Sequence, residues 1–190
     1  MEAQDNIFAR SEGDRWFERN AKALQCFNPT EDTPLKLMQF YGVSPRSVLE
    51  IGAANGFRLA EIQRRSGARA VGVELSHQAI ADGRARFPLV TFVRGAANSV
   101  PLQEVFDLVI VNFVFHWVDR IHLLQSVAET DRLRHTHAPA HARCLGAQGV
   151  VEYTAFADQD RAGGDIASAL PLDFDGEARD MCTSNRHWAT

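Results

Sequence analysis

The chain is poor in cysteine, and the three it has, Cys26, Cys144 and Cys182, stand far apart and are odd in number. With no Cys-x-x-Cys pair they exclude a disulfide framework and a zinc ribbon. It lacks an excess of positive charge: the formal net charge is -4, which gives no electrostatic footprint for nucleic acid or for an anionic membrane surface. It lacks a long hydrophobic run. The longest, Leu108 to Val118, is broken by Asn112 and His116 and is too short to cross a bilayer. The first residues, Met1 to Asn20, hold acids and arginines without an apolar core, so no secretory leader is expected and a cytoplasmic location is. Lysine is nearly missing as well. Only Lys22 and Lys36 contribute to the 20 basic residues, a bias that, with the abundant alanine, points to a GC-rich coding sequence.

What remains is an ordinary supply of core material, 45% hydrophobic in 190 residues, enough for one domain. Residues 1–42 read as an N-terminal helical layer, with Phe8, Trp16, Phe17, Leu24 and Phe27 set among charges. In it Trp16 or Phe17 is a candidate lid over a ligand. Asp32 or Thr33 can cap a short helix with Pro34 in its first turn. From Val43 the pattern alternates. Strands are expected at Val48–Ile51, Ala70–Glu74, Thr91–Arg94 and Phe106–Asn112. Helices are expected at Phe57–Ser66, after a Ser76 cap, and after Asp119, the last carrying Ile121, Leu124, Val127 and Ala128. Short connections between strands and helices predict an α/β fold, a parallel sheet flanked by helices, with the ligand site at the carboxyl ends of the strands.

The stretch Glu50-Ile-Gly52-Ala53-Ala54-Asn-Gly56 marks that site. A strand that runs into glycines and opens a helix brings backbone N–H groups to one point. Its acid-x-Gly-x-x-x-Gly order differs from the Gly-x-Gly-x-x-Gly of a dinucleotide turn. Glu50 inside the strand suits a ligand with positive charge or hydroxyl and amino donors, since an ionised carboxylate only accepts. Glu74 ends the second strand, where an acid can accept from both hydroxyls of a ribose.

Together these runs resemble a class I S-adenosylmethionine-dependent methyltransferase. Val48 to Gly56 is similar to the family's first motif and Gly72-Val-Glu-Leu-Ser76 to its second. Arg94 to Leu102 is similar to the third, and Phe106 to Asp119 to the fourth with its following loop. The resemblance implies a Rossmann-like core over residues 43–132 and S-adenosylmethionine as cofactor. Gly52 and Gly56, flanking Ala53, would let the backbone approach the amino-acid part, and Glu50 would support its ammonium. Glu74 would bind the ribose, Ala97 and Asn98 would border the adenine, and Asn112 and Phe113 would lie beside the sulfonium end. The implied partner is a small-molecule acceptor, with neither nucleic acid nor membrane. Ala54 replaces a glycine of the first motif, which is tolerable at negative φ. At Ala97-Asn98 the usual acid is replaced by an amide. No catalytic residue is assigned; His116 is the best-placed base, ahead of Asp119 and His77.

The resemblance stops after Arg132. Residues 133–190 are expected to form an atypical, poorly ordered tail that leaves the C-terminal part of the sheet incomplete. A reading-frame shift in a GC-rich gene would produce it. In the alternative, Val150–Phe156 serves as a fifth strand. A tail of this kind would weaken cofactor affinity and activity, and a truncated binder without turnover is the rival reading. His135, His137, His141 and Cys144 imitate a metal cluster but have no flanking periodicity to hold a tetrahedral site, so no metal is expected.

Overall fold

A computed structural model of the chain describes residues 8–134, together with 140–146 and 149–155 as backbone. A short π-helical turn, Phe8–Glu12, leads into α1 (Gly13–Gln25), followed by α2 (Thr33–Phe40). The alternating part then runs β1 (Ser47–Ile51), α3 (Phe57–Ser66), β2 (Arg69–Glu74), α4 (His77–Arg86), β3 (Val90–Arg94) and β4 (Leu108–Val111). A 3-10 turn, Arg120–His122, precedes α5 (Leu123–Arg132). The four strands form a parallel sheet in the order β3-β2-β1-β4.

Strand periodicity sorts the core into two layers. Val48, Leu108 and Ile110 face one side with Leu59, Ile62, Leu35 and Met38. Leu49, Ile51, Val109 and Val111 face the other with Phe106 and Leu133. Both faces of β4 are therefore buried, as a continuous apolar run requires. Glu50, one residue from Leu49, projects with Val48 toward the layer that holds α2 and α3. Capping follows the sequence: the Asp32 carboxylate accepts from Leu35 N at 3.1 Å, and the Ser76 hydroxyl accepts from Ala79 N at 3.0 Å.

The structure corrects the sequence at α5. The apolar residues assigned to it turn outward, with Ile121 77% and Leu124 82% exposed. The Asp119 side chain makes no capping bond to the turn that follows it; its carbonyl accepts from His122 N at 2.8 Å. The inward positions are Ser126 and Thr130. Their hydroxyls donate to His122 O at 3.0 Å and Ser126 O at 2.9 Å, so burying them leaves nothing unpaired. Polar anchors set the rotation of the helix. Glu129 accepts from Val100 N at 2.9 Å and Arg132 donates to Leu102 O at 2.8 Å. Leu133, placed by the sequence in the tail, is fully buried, and its carbonyl accepts from Phe106 N at 2.8 Å. Leu133→Ala should accordingly cost about 2–5 kcal/mol, whereas Leu124→Ser should change stability by less than about 0.5 kcal/mol. Urea unfolding of the two variants checks the contrast.

The fifth strand of the alternative reading, Val150–Phe156, is not part of the four-stranded parallel sheet. Backbone residues Gly149–Ala155 (β6) pair antiparallel with Ala140–Gly146 (β5) as a separate two-stranded ribbon. β6 comes within 8 Å of β4 by Cα distance without joining its ladder. The rest of the tail, from residue 156 onward, lies outside the described residues.

Candidate functional site

The glycine turn between β1 and α3 is closed by backbone bonds to the neighbouring strand. Gly52 N and Ala53 N both donate to Val73 O, at 2.8 and 3.1 Å, and Gly56 N donates to Ala53 O at 2.8 Å. Gly52 and Gly56 have φ of +74° and +77°, a region L residues avoid. A Cβ on Gly52 would stand 2.3 Å from Val114 Cγ2. That contact brings the segment after β4, with Asn112 and Phe113, against the turn. Ala54 has φ +48°, so the negative φ that would have made this alanine harmless is not adopted. Ala54→Gly should stabilise the protein by about 0.5–1 kcal/mol, the left-handed strain relieved less the added chain entropy. A rise in the urea midpoint would register it.

The Ala54 amide explains its own strain, because it donates to Glu74 Oε2 at 2.8 Å. Glu74 Oε1 accepts from Leu75 N at 2.8 Å and Ser76 N at 2.9 Å. Burial nevertheless raises the Glu74 carboxyl above its ordinary range, against the pull of these amides. Four lone-pair sites and three bonds leave room for one further donor.

Glu50 is 2% exposed and ion-paired through Oε1 with Arg58 Nη1. Its Oε2 has no partner among the described residues. Arg58 in turn lies on Asp32, with Nε at 2.9 and 3.0 Å from the two carboxylate oxygens and Nη2 at 2.8 Å from Oδ2. Burial pushes the Glu50 carboxyl up to about 7, in spite of the nearby Arg58 guanidinium; Asp32 and Glu74 push it the same way. Neither Arg58 nor this use of Asp32 was legible in the sequence, where Asp32 reads only as a cap. The signal for Arg58 is its place beside Leu59 in the first turn of a helix whose charged face begins later, at Glu61.

α1 lies over the turn. Phe17 is buried with Ala54 and Ala79, and Trp16 and Phe57 pack at the margin. Asp14 fastens the helix by accepting from Ser76 Oγ at 2.6 Å and Gln78 N at 3.1 Å. Around the C-terminal end of β4, Phe113 is 47% exposed at φ +56°. Its ring meets His116 edge-on at 6.5 Å, and His116 meets Trp117 at 5.0 Å. Partial burial lowers the His116 imidazole below its ordinary value. Ala97 is buried in the second core layer, so only its backbone can face a ligand, and Asn98 follows in the turn bridged by Ala96 and Ser99. His77 is exposed in the first turn of α4. His135 and His137 lie outside the described residues, and His141 and Cys144 fall on the backbone of β5. No cluster of three metal-ligating side chains occurs among the described residues, and none of their helices is long and apolar enough to cross a membrane.

An acceptor set of this kind, two buried carboxylates flanking the glycine turn, suits a ligand with one cationic group and vicinal hydroxyls. Residues 48–135 match a family model described as a methyltransferase domain. No curated protein matches the chain. Among solved structures, a TehB-like SAM-dependent methyltransferase from Corynebacterium glutamicum aligns with TM-score 0.54 at 18% identity, over 82% of this chain and 79% of that one. SAM-bound CalS10, an amino pentose methyltransferase from Micromonospora echinaspora, aligns with TM-score 0.47 at 18% identity, over 68% and 51%. The MccD protein aligns with TM-score 0.47 at 19% identity, over 53% and 47%. The alignments thus span about half the length of the last two.

Proposed function

We propose that this chain, whose residues 48–135 match a methyltransferase domain model, is a class I S-adenosylmethionine-dependent methyltransferase that binds S-adenosylmethionine at the glycine turn and methylates a small-molecule acceptor. The observation that carries the proposal is the pair of buried acids across the turn. Glu50 offers an oxygen without a partner, and Glu74 is tied to the turn itself through Ala54 N. The residues present fit the cofactor. Gly52 and Gly56, with Ala53 between them, open the backbone to its amino-acid part, and Glu50 faces its ammonium. Glu74 has one acceptor site left for the ribose. Ala97 and Asn98 border the adenine, with the Asn98 amide standing where an acid would be stronger. Asn112 and Phe113 flank the reacting end.

When bound, the cofactor supplies a methyl group already activated on a sulfonium, so orientation and exclusion of water are the main tasks left to the protein. Phe17 and Trp16 on α1 serve the second task. His116 is the group nearest the end of β4 that can accept a proton, should the acceptor need to lose one. The net charge of -4 argues against a polyanionic acceptor.

Binding without turnover is the second reading. It is favoured by the edge position of β4 in the four-stranded sheet, where among the described residues no further strand joins its ladder. Under this reading the residues after about 132 are a frame-shifted or divergent ending, and genomic sequence with an alternative frame encoding an apolar strand would support it. Calorimetry with S-adenosylhomocysteine, beside a methyl-transfer assay, separates the two readings. Glu74→Gln should weaken S-adenosylhomocysteine and 5′-methylthioadenosine alike, by about tenfold or more, since a hydrogen bond to a charged group is lost. Unchanged affinity, or binding of NADH in preference, would refute the assignment.

A further inference from the structure

The buried cluster at the base of the turn holds an odd charge count. Glu50 and Asp32 are both acids, and among the described residues Arg58 between them is the one cation in direct contact with either. All three are withdrawn from water, with side chains 7% exposed or less. Asp32 holds the guanidinium in a fork by three bonds, while Glu50 receives only Nη1. The unpartnered Glu50 Oε2 marks where the next donor belongs.

We propose that Asp32, acting through Arg58, is a positioning residue that leaves Glu50 one positive charge short, so that the site selects ligands bearing an ammonium group and binds them with loss of a proton from Glu50. This rests on the assignment of the glycine turn to S-adenosylmethionine. The physical basis is that an ion pair buried together with a second carboxylate keeps one unit of uncompensated negative charge, which burial makes costly. The cluster relieves that charge in one of two ways: Glu50 takes up a proton, or a ligand brings a cation. The two exclude each other, so ligand and proton compete.

Among the described residues, the charged groups that face Glu50 are few. They are Asp32 from the segment before α2, Arg58 from the first turn of α3, and Glu74 from the end of β2. Because Glu50 titrates at about 7, well above an unfolded glutamate, its protonated form is the one favoured by folding. That contribution to stability is full below about pH 4.5 and is lost as the pH rises through 7. For ligand binding the sign reverses, since the ammonium needs the ionised form.

The test is calorimetry on the full chain between pH 5.5 and 8. It compares S-adenosylhomocysteine, which carries the ammonium, with 5′-methylthioadenosine, which does not. In the wild type, S-adenosylhomocysteine affinity should rise about tenfold or more across this range and level off above pH 7, while 5′-methylthioadenosine stays flat. Asp32→Asn keeps the helix cap, because asparagine caps as well as aspartate, and it balances Arg58 with Glu50 alone. It should flatten the pH profile and shrink the preference for S-adenosylhomocysteine. Asp32→Glu should restore both. A merely structural role for Asp32 would weaken both ligands equally and leave the slope intact. The unliganded protein provides a second readout: wild-type urea stability should fall from pH 5 to 7, and Asp32→Asn should fall less. A flat wild-type profile with both ligands bound, or an Asp32→Asn variant with the wild-type slope, overturns the inference and leaves the cofactor assignment standing. Failure of both ligands to bind at any pH overturns the assignment and the inference with it.

Discussion

Gly56→Ala is expected to be among the most damaging single-atom changes in the protein, destabilising it by about 2–5 kcal/mol. Two costs add. An L residue at φ +77° loses about 1–2 kcal/mol to the clash of Cβ with the following carbonyl. The new methyl would also stand 2.5 Å from Phe92 Cζ and 3.0 Å from Cε1, an overpacking worth about 1–3 kcal/mol. Phe92 cannot yield, because its ring is wedged against Gly83 and Gly72 too, where added Cβ atoms would come within 2.5 and 3.3 Å of it. Gly67 is the internal control. It has φ +70° but nothing within 4 Å of a built Cβ, so Gly67→Ala should show the conformational cost alone. Equilibrium urea unfolding of the two variants separates the terms, and equal losses would show that packing against Phe92 contributes nothing.

Arg58→Met should cost about 3–5 kcal/mol at pH 7, since removing one member of a buried ionic cluster leaves its partners uncompensated. Here two carboxylates would be stranded rather than one. Methionine keeps much of the apolar stem, and the guanidinium carbon it removes lies 5.3 Å from the Phe57 ring centroid, so the loss reports charge, the cation–π contact included, rather than volume. The penalty should shrink at pH 5, where Glu50 takes a proton, and it should shrink again in the combined Glu50→Gln/Arg58→Met variant. A penalty that stays constant between pH 5 and 8 would mean that packing, not charge, is what Arg58 supplies.

Much of the alternating core was legible residue by residue. The β-branched runs at Val48–Ile51 and Leu108–Val111, the glycines that follow β1, and the caps at Asp32 and Ser76 depend on local chain geometry, which neighbours in sequence dictate. The resemblance carried by Val48 to Gly56 and its three companion motifs led to the same family that residues 48–135 match. Reading failed where a residue's role depends on what reaches it from elsewhere. The periodic apolar residues of α5 looked like an inner face, yet Glu129, Arg132 and Leu133 bind the loop at Val100–Leu102 and the core beneath, and so turn Ile121 and Leu124 to solvent. Ala54 looked like a mild exchange for glycine, yet its amide is drawn to Glu74, which holds it at positive φ.

The sequence by itself determined the parallel arrangement, the position of the turn and the two acids that flank it. Hydrophobic period, glycine spacing and strand ends are properties of short segments, and short segments carry them into any fold that contains them. Only the tertiary structure decided the charge state of the turn. Asp32 is 26 residues from Arg58 along the chain and Arg58 is eight from Glu50; nothing in their spacing says that they share one buried cluster. Packing α2 and α3 on the same face of β1 brings them together, and burial then turns three ordinary ionic side chains into a site with one charge left to fill.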